Sequence, residues 1–99
     1  MDQATLIERL TSLTREIEHA AAMADWPEAA RLAEARSPLF AMVTLTQDPV
    51  VLEALRKIQA ADEAVFASAQ IARTELSAEY QEALGRVSSA SQYQQVAQI

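Results

Sequence analysis

The chain has 99 residues, a formal net charge of −6 at pH 7 and no cysteine. A chain of this length forms one domain with a modest core, and the lack of thiols excludes disulfides and thiolate chemistry, so a cytoplasmic protein is expected. The acidic balance, with Lys57 as the only lysine, excludes a nucleic-acid or anionic-membrane surface, and no apolar run is long enough for membrane insertion.

Apolar residues recur every three or four positions near the start of the chain, as the inner face of a helix requires. This stripe runs through Leu6, Leu10, Leu13 and Ile17. Alanine, the strongest helix former, contributes 21 residues and is opposed by one glycine. We therefore predict a first helix over residues 4–23, within an all-α fold that is an antiparallel three-helix bundle or hairpin.

A turn and a new helix start follow at the only tryptophan, Trp26. Asp25 can accept from the free amides of a helix start, and Pro27 suits the first helical turn. So short a connection makes the two helices antiparallel neighbours, with the indole folded over the end of the first. The second helix is predicted over residues 26–45, kinked near Pro38 because proline removes a backbone donor; a full break there is the alternative.

Asp48 and Pro49 form the clearest helix start in the chain, an N-cap aspartate before a proline at the first helical position. Apolar side chains follow at helical spacing, interrupted by Asp62, as far as the only glycine, Gly85. We predict a long third helix over residues 49–84. Because this helix is longer than the two before it, part of its apolar stripe needs another chain, or the tail, to cover it.

The remaining segment, residues 86–99, is rich in serine and glutamine, and its apolar residues are sparse. Gly85 is a plausible helix stop and Ser91 a plausible cap, so the segment predicts a short, mobile C-terminal helix. Together with the three helices, it is assigned to a single helical domain, residues 1–99.

Few residues are of the types that catalysis uses, and those few lack partners. His19 is the only histidine, without the lysine and small gap of a phosphorelay domain, and with Glu16 it forms one Glu-x-x-His pattern where a di-iron bundle needs two. Arg15 and Arg36 are similar in position to the anion-binding arginines of all-helical chorismate mutase. However, the second helix lacks the matching lysine, and the negative charge of the chain repels a dianion. We predict no enzyme, no metal site and no cofactor.

A pattern that begins at the tryptophan carries a family resemblance. It is W-x3-A-x-L-x-E-x-R-x2-L, formed by Trp26, Ala30, Leu32, Glu34, Arg36 and Leu39. The chain resembles the FliT family of flagellar export chaperones, and the likeness includes Asp48 at the third helix and Gly85 followed by Tyr93. It departs from the family in the aspartate before the tryptophan, in two prolines of the second helix and in its short tail.

The resemblance implies a chaperone that binds the C-terminal segment of the filament-cap protein, prevents its premature association and hands it to the export gate and ATPase. Some members of the family also bind a flagellar transcription regulator. A helical client would lie in an apolar groove between helices 2 and 3. The predicted partner-binding residues are Leu32, Leu39, Phe40, Val43, Val65, Phe66, Ala69 and Tyr80.

Two alternatives stay open. The alternative for each predicted binding residue is that it packs in the protein's own core and contacts no partner. The alternative function is a self-associating structural or adaptor protein whose long helix pairs with a second copy, whereas a chaperone is expected to be monomeric or a weak homodimer.

Overall fold

The computed structural model describes residues 1–44 and 47–97, without the side chains of residues 91, 93, 95 and 97. Three helices make up this part of the chain: α1 (Gln3–Ala22), α2 (Trp26–Ala41) and α3 (Pro49–Ala97). No strand occurs among the described residues, and the prediction of an all-α fold is confirmed. The first helix agrees with its predicted bounds to within one residue at each end.

A tight turn ends α1 and starts α2. Ala24 has a positive φ of 56°, and its amide donates to the carbonyl of Ala21. The next amide, that of Asp25, donates to the carbonyl of Ala20, which completes a Schellman motif with an alanine where glycine is usual. The Asp25 carboxylate accepts from the amide of Glu28 at 3.2 Å, so the predicted cap of the second helix is confirmed.

The core lies along the apolar stripe of α1, which contacts both other helices. One cluster joins the last turns of α1 to the start of α2: Leu13, Ile17, Ala20, Ala29 and Leu32. A second cluster joins the first turns of α1 to α3: Leu6, Leu10 and Ile58. Leu39 near the end of α2 packs against both clusters, and Val65 of α3 packs against the first. Thus α2 is antiparallel to α1 and α3, as the predicted hairpin requires.

The second helix is shorter than predicted. It ends at Ala41, and residues 42–44 are not helical, while residue 45, the predicted end, lies outside the described residues. Pro38 lies inside α2 and does not break it, so the break is ruled out. Val43 and Thr44, which follow, have a lower helix propensity than alanine, and Val43 packs against the core cluster that joins α1 to α3. No measured angle tests the predicted kink, which stays a prediction.

The third helix is longer than predicted and passes through Gly85 to Ala97. The predictions that the third helix stops at residue 84 and that a separate C-terminal helix follows are therefore wrong over the described residues. Gly85 has no positive φ, and a glycine inside a helix costs only about 1 kcal/mol relative to alanine. That cost is too small to end a helix whose neighbouring residues are good helix formers. Residues 98 and 99, and the side chains of the predicted cap Ser91 and of Tyr93, lie outside the description.

By its contacts the chain separates into two units, Met1–Ala69 and Gln70–Ile99. The first unit contains both core clusters. In the second unit the large apolar side chains of α3 are exposed: Ile71, Leu76, Tyr80, Leu84, Val87 and Val96. No helix in the described ranges is long and apolar enough to cross a membrane. The assignment of residues 1–99 to a single domain stays a prediction.

Candidate partner-binding groove

A partly buried ion pair joins α2 to α3. The Arg36 side chain is 9% exposed, and each of its Nη atoms donates a 2.9 Å hydrogen bond to a different oxygen of the Asp62 carboxylate. Nη1 also donates to Oγ1 of Thr14 on α1, at 2.8 Å. The guanidinium carbon lies 5.0 Å from the centroid of the Phe40 ring, within the range of a cation–π contact. One arginine thus links all three helices of the first unit.

The local partners of this ion pair explain two features of the sequence. Thr14 is the polar residue in the buried stripe of α1, and its hydroxyl donates to the carbonyl of Leu10 while it accepts from Arg36. Asp62, the acidic interruption of the α3 stripe, is the bidentate acceptor. Because the Arg36 charge is already paired, this arginine does not present a free cation to an anionic substrate. Its Nε atom is buried without a hydrogen-bond partner among the described residues.

Next to this ion pair is an open groove of about 590 Å³ between the end of α2 and the first unit's part of α3. We call it the Phe40–Phe66 groove. Its lining residues are Phe40, Leu55, Ile58, Gln59, Asp62, Glu63 and Phe66. The two phenylalanine side chains are 36% and 65% exposed, so large aromatic surfaces face water on opposite helices. Such surfaces are favourable sites for a partner, because burying an aromatic ring removes much apolar area from water.

The structure brings two of the predicted partner-binding residues, Phe40 and Phe66, into this groove. Leu32 is 7% exposed and belongs to the core. Three others are half-buried against the core clusters: Leu39, Val43 and Val65. Ala69 is half-buried at the end of the first unit, and Tyr80 is exposed in the second unit. Partner binding by these eight residues stays a prediction.

Sequence reasoning missed five residues of the groove: Leu55, Ile58, Gln59, Asp62 and Glu63. The sequence indicated these groove residues only indirectly. An acidic residue in an apolar stripe and an arginine on the inner face of the neighbouring helix mark a pair that meets in the fold. Once Asp62 faces α2, the residues one helical turn before it and the residue after it line the same groove.

Described residues of the first unit also line two further grooves. One, of about 680 Å³, separates α1 from the start of α3 and contains Arg15 and Lys57 together with Glu18 and Glu53. The other, of about 630 Å³, lies between α1 and α2 and contains His19 and Leu32. Among the described residues, no group of three or more histidine, cysteine, aspartate or glutamate side chains is placed to hold a metal ion.

Hydrogen bonds shift the pKa values of three charged groups outside the Phe40–Phe66 groove. Glu28 accepts two hydrogen bonds from Arg31, which lower the pKa of Glu28 and raise that of Arg31. The amide of Thr5 donates to the Asp2 carboxylate at the start of α1 and lowers its pKa. These hydrogen bonds favour the charged form of each group.

The comparison with known protein families covers nearly the whole chain. Residues 4–95 match the family model described as flagellar protein FliT. No curated protein and no solved structure matches the chain significantly. The family match includes the helix-joining Arg36 and Asp62 and all seven residues that line the Phe40–Phe66 groove. The chain belongs to the FliT family of flagellar proteins.

Proposed function

We propose that this protein is a cytoplasmic flagellar export chaperone that binds the C-terminal segment of the filament-cap protein. It keeps this client from associating prematurely and hands it to the export gate and ATPase. Binding of a flagellar transcription regulator belongs to the same proposal. Membership of a flagellar protein family supports the cellular process, and the apolar groove supports the mode of action.

The single observation that carries the proposal is the exposure of two aromatic rings in one groove. Phe40 and Phe66 line a shared space of about 590 Å³ next to the core residue Ile58. Full burial of one such side chain contributes about 1.5–3 kcal/mol. Because Phe66 is 65% exposed and Phe40 36%, a client gains more from covering Phe66, and this modest apolar gain suits a reversible complex.

A helical client segment suits this groove, because an amphipathic helix places apolar anchors at every third or fourth residue along one face. Leu55 and Phe66 are eleven residues apart on α3, about three helical turns, and both line the groove. A client helix of similar length can thus contact the α3 wall with successive anchors and Phe40 with one more. While these anchors are covered, they are unavailable to a second copy of the cap protein.

Titration calorimetry with a synthetic peptide of the cap protein's C-terminal segment, taken from the same genome, tests the proposal. We expect the Phe66→Ala variant to bind at least about tenfold more weakly, a loss of about 1.4 kcal/mol. Met23→Ala is the matched control, because Met23 is 69% exposed and does not line the groove. The circular dichroism of both variants should match the parent, since the replaced side chains lie largely outside the core.

The same protein and peptide also test the alternative function, a self-associating structural or adaptor protein. Sedimentation of the free protein at nanomolar concentration should show a monomer or a dissociating dimer if it is a chaperone. Added peptide should then raise the melting temperature, because a ligand that binds only the folded state stabilises it. A dimer that persists at nanomolar concentration and gains no stability from the peptide overturns the chaperone proposal.

A further inference from the structure

We propose that the occupant of the Phe40–Phe66 groove is a basic amphipathic helix, with a lysine or arginine beside its apolar anchors. This inference rests on the proposed function and deepens it by giving the chemistry of the partner. Of the seven residues that line the groove, two are carboxylates, Asp62 and Glu63, and none is a cation.

Glu63 is the unbalanced charge of the groove. It is exposed and makes no hydrogen bond or ion pair within the described part of the chain. Asp62 is partly neutralised, since both of its oxygens accept from Arg36. Its side chain is still 37% exposed, and a carboxylate can accept more than two hydrogen bonds. A cationic side chain of a partner therefore finds one unpaired carboxylate and a second with acceptor positions remaining.

Arg36 does not reverse the sign of this surface. Its side chain is 9% exposed, and its Nη atoms are directed to Asp62 and Thr14. The net charge of −6 acts in the same direction, because it attracts basic segments and repels acidic ones over longer distances. Local and overall charge thus both favour a basic partner.

Two other grooves among the described residues differ from it, because both contain cationic side chains. The groove between α1 and α3 has Arg15 and Lys57 opposite Glu18 and Glu53. The groove between α1 and α2 contains Arg15 and Arg31 beside three carboxylates, Glu16, Asp25 and Glu28. Of these three grooves, the Phe40–Phe66 groove is the one whose lining carries carboxylates and no cation.

Two synthetic helical peptides test this inference. They share one apolar face, and the positions that flank it are lysine in one peptide and glutamate in the other. At low ionic strength the lysine peptide should bind the parent protein more tightly. Glu63→Gln should reduce this preference about two- to fivefold, the range of an exposed ion pair. Glu8→Gln is the control, because it makes the same change in net charge at an exposed residue of α1 that does not line the groove.

The outcomes separate this inference from the proposed function. The inference is overturned if neither peptide binds, if both bind equally, or if Glu63→Gln and Glu8→Gln reduce the preference to the same degree. The proposed function fails separately, if the cap-protein peptide does not bind or if Phe66→Ala binds it as tightly as the parent. A weakened cap-peptide complex in Phe66→Ala, with an unchanged lysine preference in Glu63→Gln, retains the chaperone and rejects the basic partner.

Discussion

Replacing Asp62 should destabilise the protein more than replacing Arg36, because the two side chains of this ion pair differ in exposure. The Arg36 side chain is 9% exposed and that of Asp62 is 37% exposed. In Asp62→Ala the guanidinium stays buried without its carboxylate. In Arg36→Met the remaining carboxylate can turn to water, and the methionine side chain occupies much of the space of the arginine stem.

The expected magnitudes follow from this geometry. Removing one partner of a fully buried ion pair costs about 3–5 kcal/mol. Since Asp62 is more than a third exposed, solvent screening lowers that figure, and we expect Asp62→Ala to reduce the free energy of unfolding by about 2–3 kcal/mol. Arg36→Met leaves no buried charge and should cost about 1 kcal/mol. The double variant Arg36→Met/Asp62→Leu should lie within about 1 kcal/mol of the parent.

Urea unfolding followed by circular dichroism measures all three variants. Glu53→Ala is the control, because Glu53 pairs with Arg56 at the surface, where the two side chains are 54% and 71% exposed. Such a pair contributes about 0–1 kcal/mol, so the control should change stability little. If Arg36→Met costs as much as Asp62→Ala, or if the double variant is as unstable as Asp62→Ala, the reasoning from exposure is refuted.

Leu10→Ala should lower the free energy of unfolding by about 2–5 kcal/mol, because Leu10 is 0% exposed; a loss below about 1 kcal/mol in urea would contradict a packed core there. Ala24→Gly should raise the melting temperature, because a φ of 56° costs alanine about 1 kcal/mol that glycine avoids; an unchanged or lower value argues against strain at this turn. The Arg31 hydrogen bond lowers the folded-state pKa of Glu28, so its contribution to stability is present above the unfolded pKa and is lost as pH falls through the folded one. As the pH falls through that acidic range, the melting temperature of Glu28→Gln should therefore fall less than that of the parent. Parallel plots of melting temperature against pH for the two proteins would contradict this role of the hydrogen bond.

The positions of the helices could be predicted because their signals are local. Apolar spacing, the Asp25 cap and the proline at the start of α3 each depend on residues close together in the chain. One local signal misled. Gly85 is a strong breaker only where the surrounding helix is weak, and α3 continues through it. At Ala24 the backbone adopts the left-handed conformation without the glycine that usually indicates it.

The groove was only partly predictable because it depends on which helix faces meet. Phe40 and Phe66 were both expected to bind a partner, and the structure places both in one groove. Leu32 was expected in the same wall, yet its side chain points into the core between α1 and α2. The Arg36–Asp62 pair joins residues 26 positions apart, a distance over which helical periodicity carries no information.

The corner between α1 and α2 also provides a built-in optical probe. Trp26 is the only tryptophan in the chain, and its side chain is half-buried in the first turn of α2. Indole emission therefore originates from one place and reports on its local polarity. A client that separates α1 from α2 should expose the indole and shift its emission to longer wavelength. If calorimetry detects binding while the emission stays unchanged, the hairpin of α1 and α2 binds the client without opening.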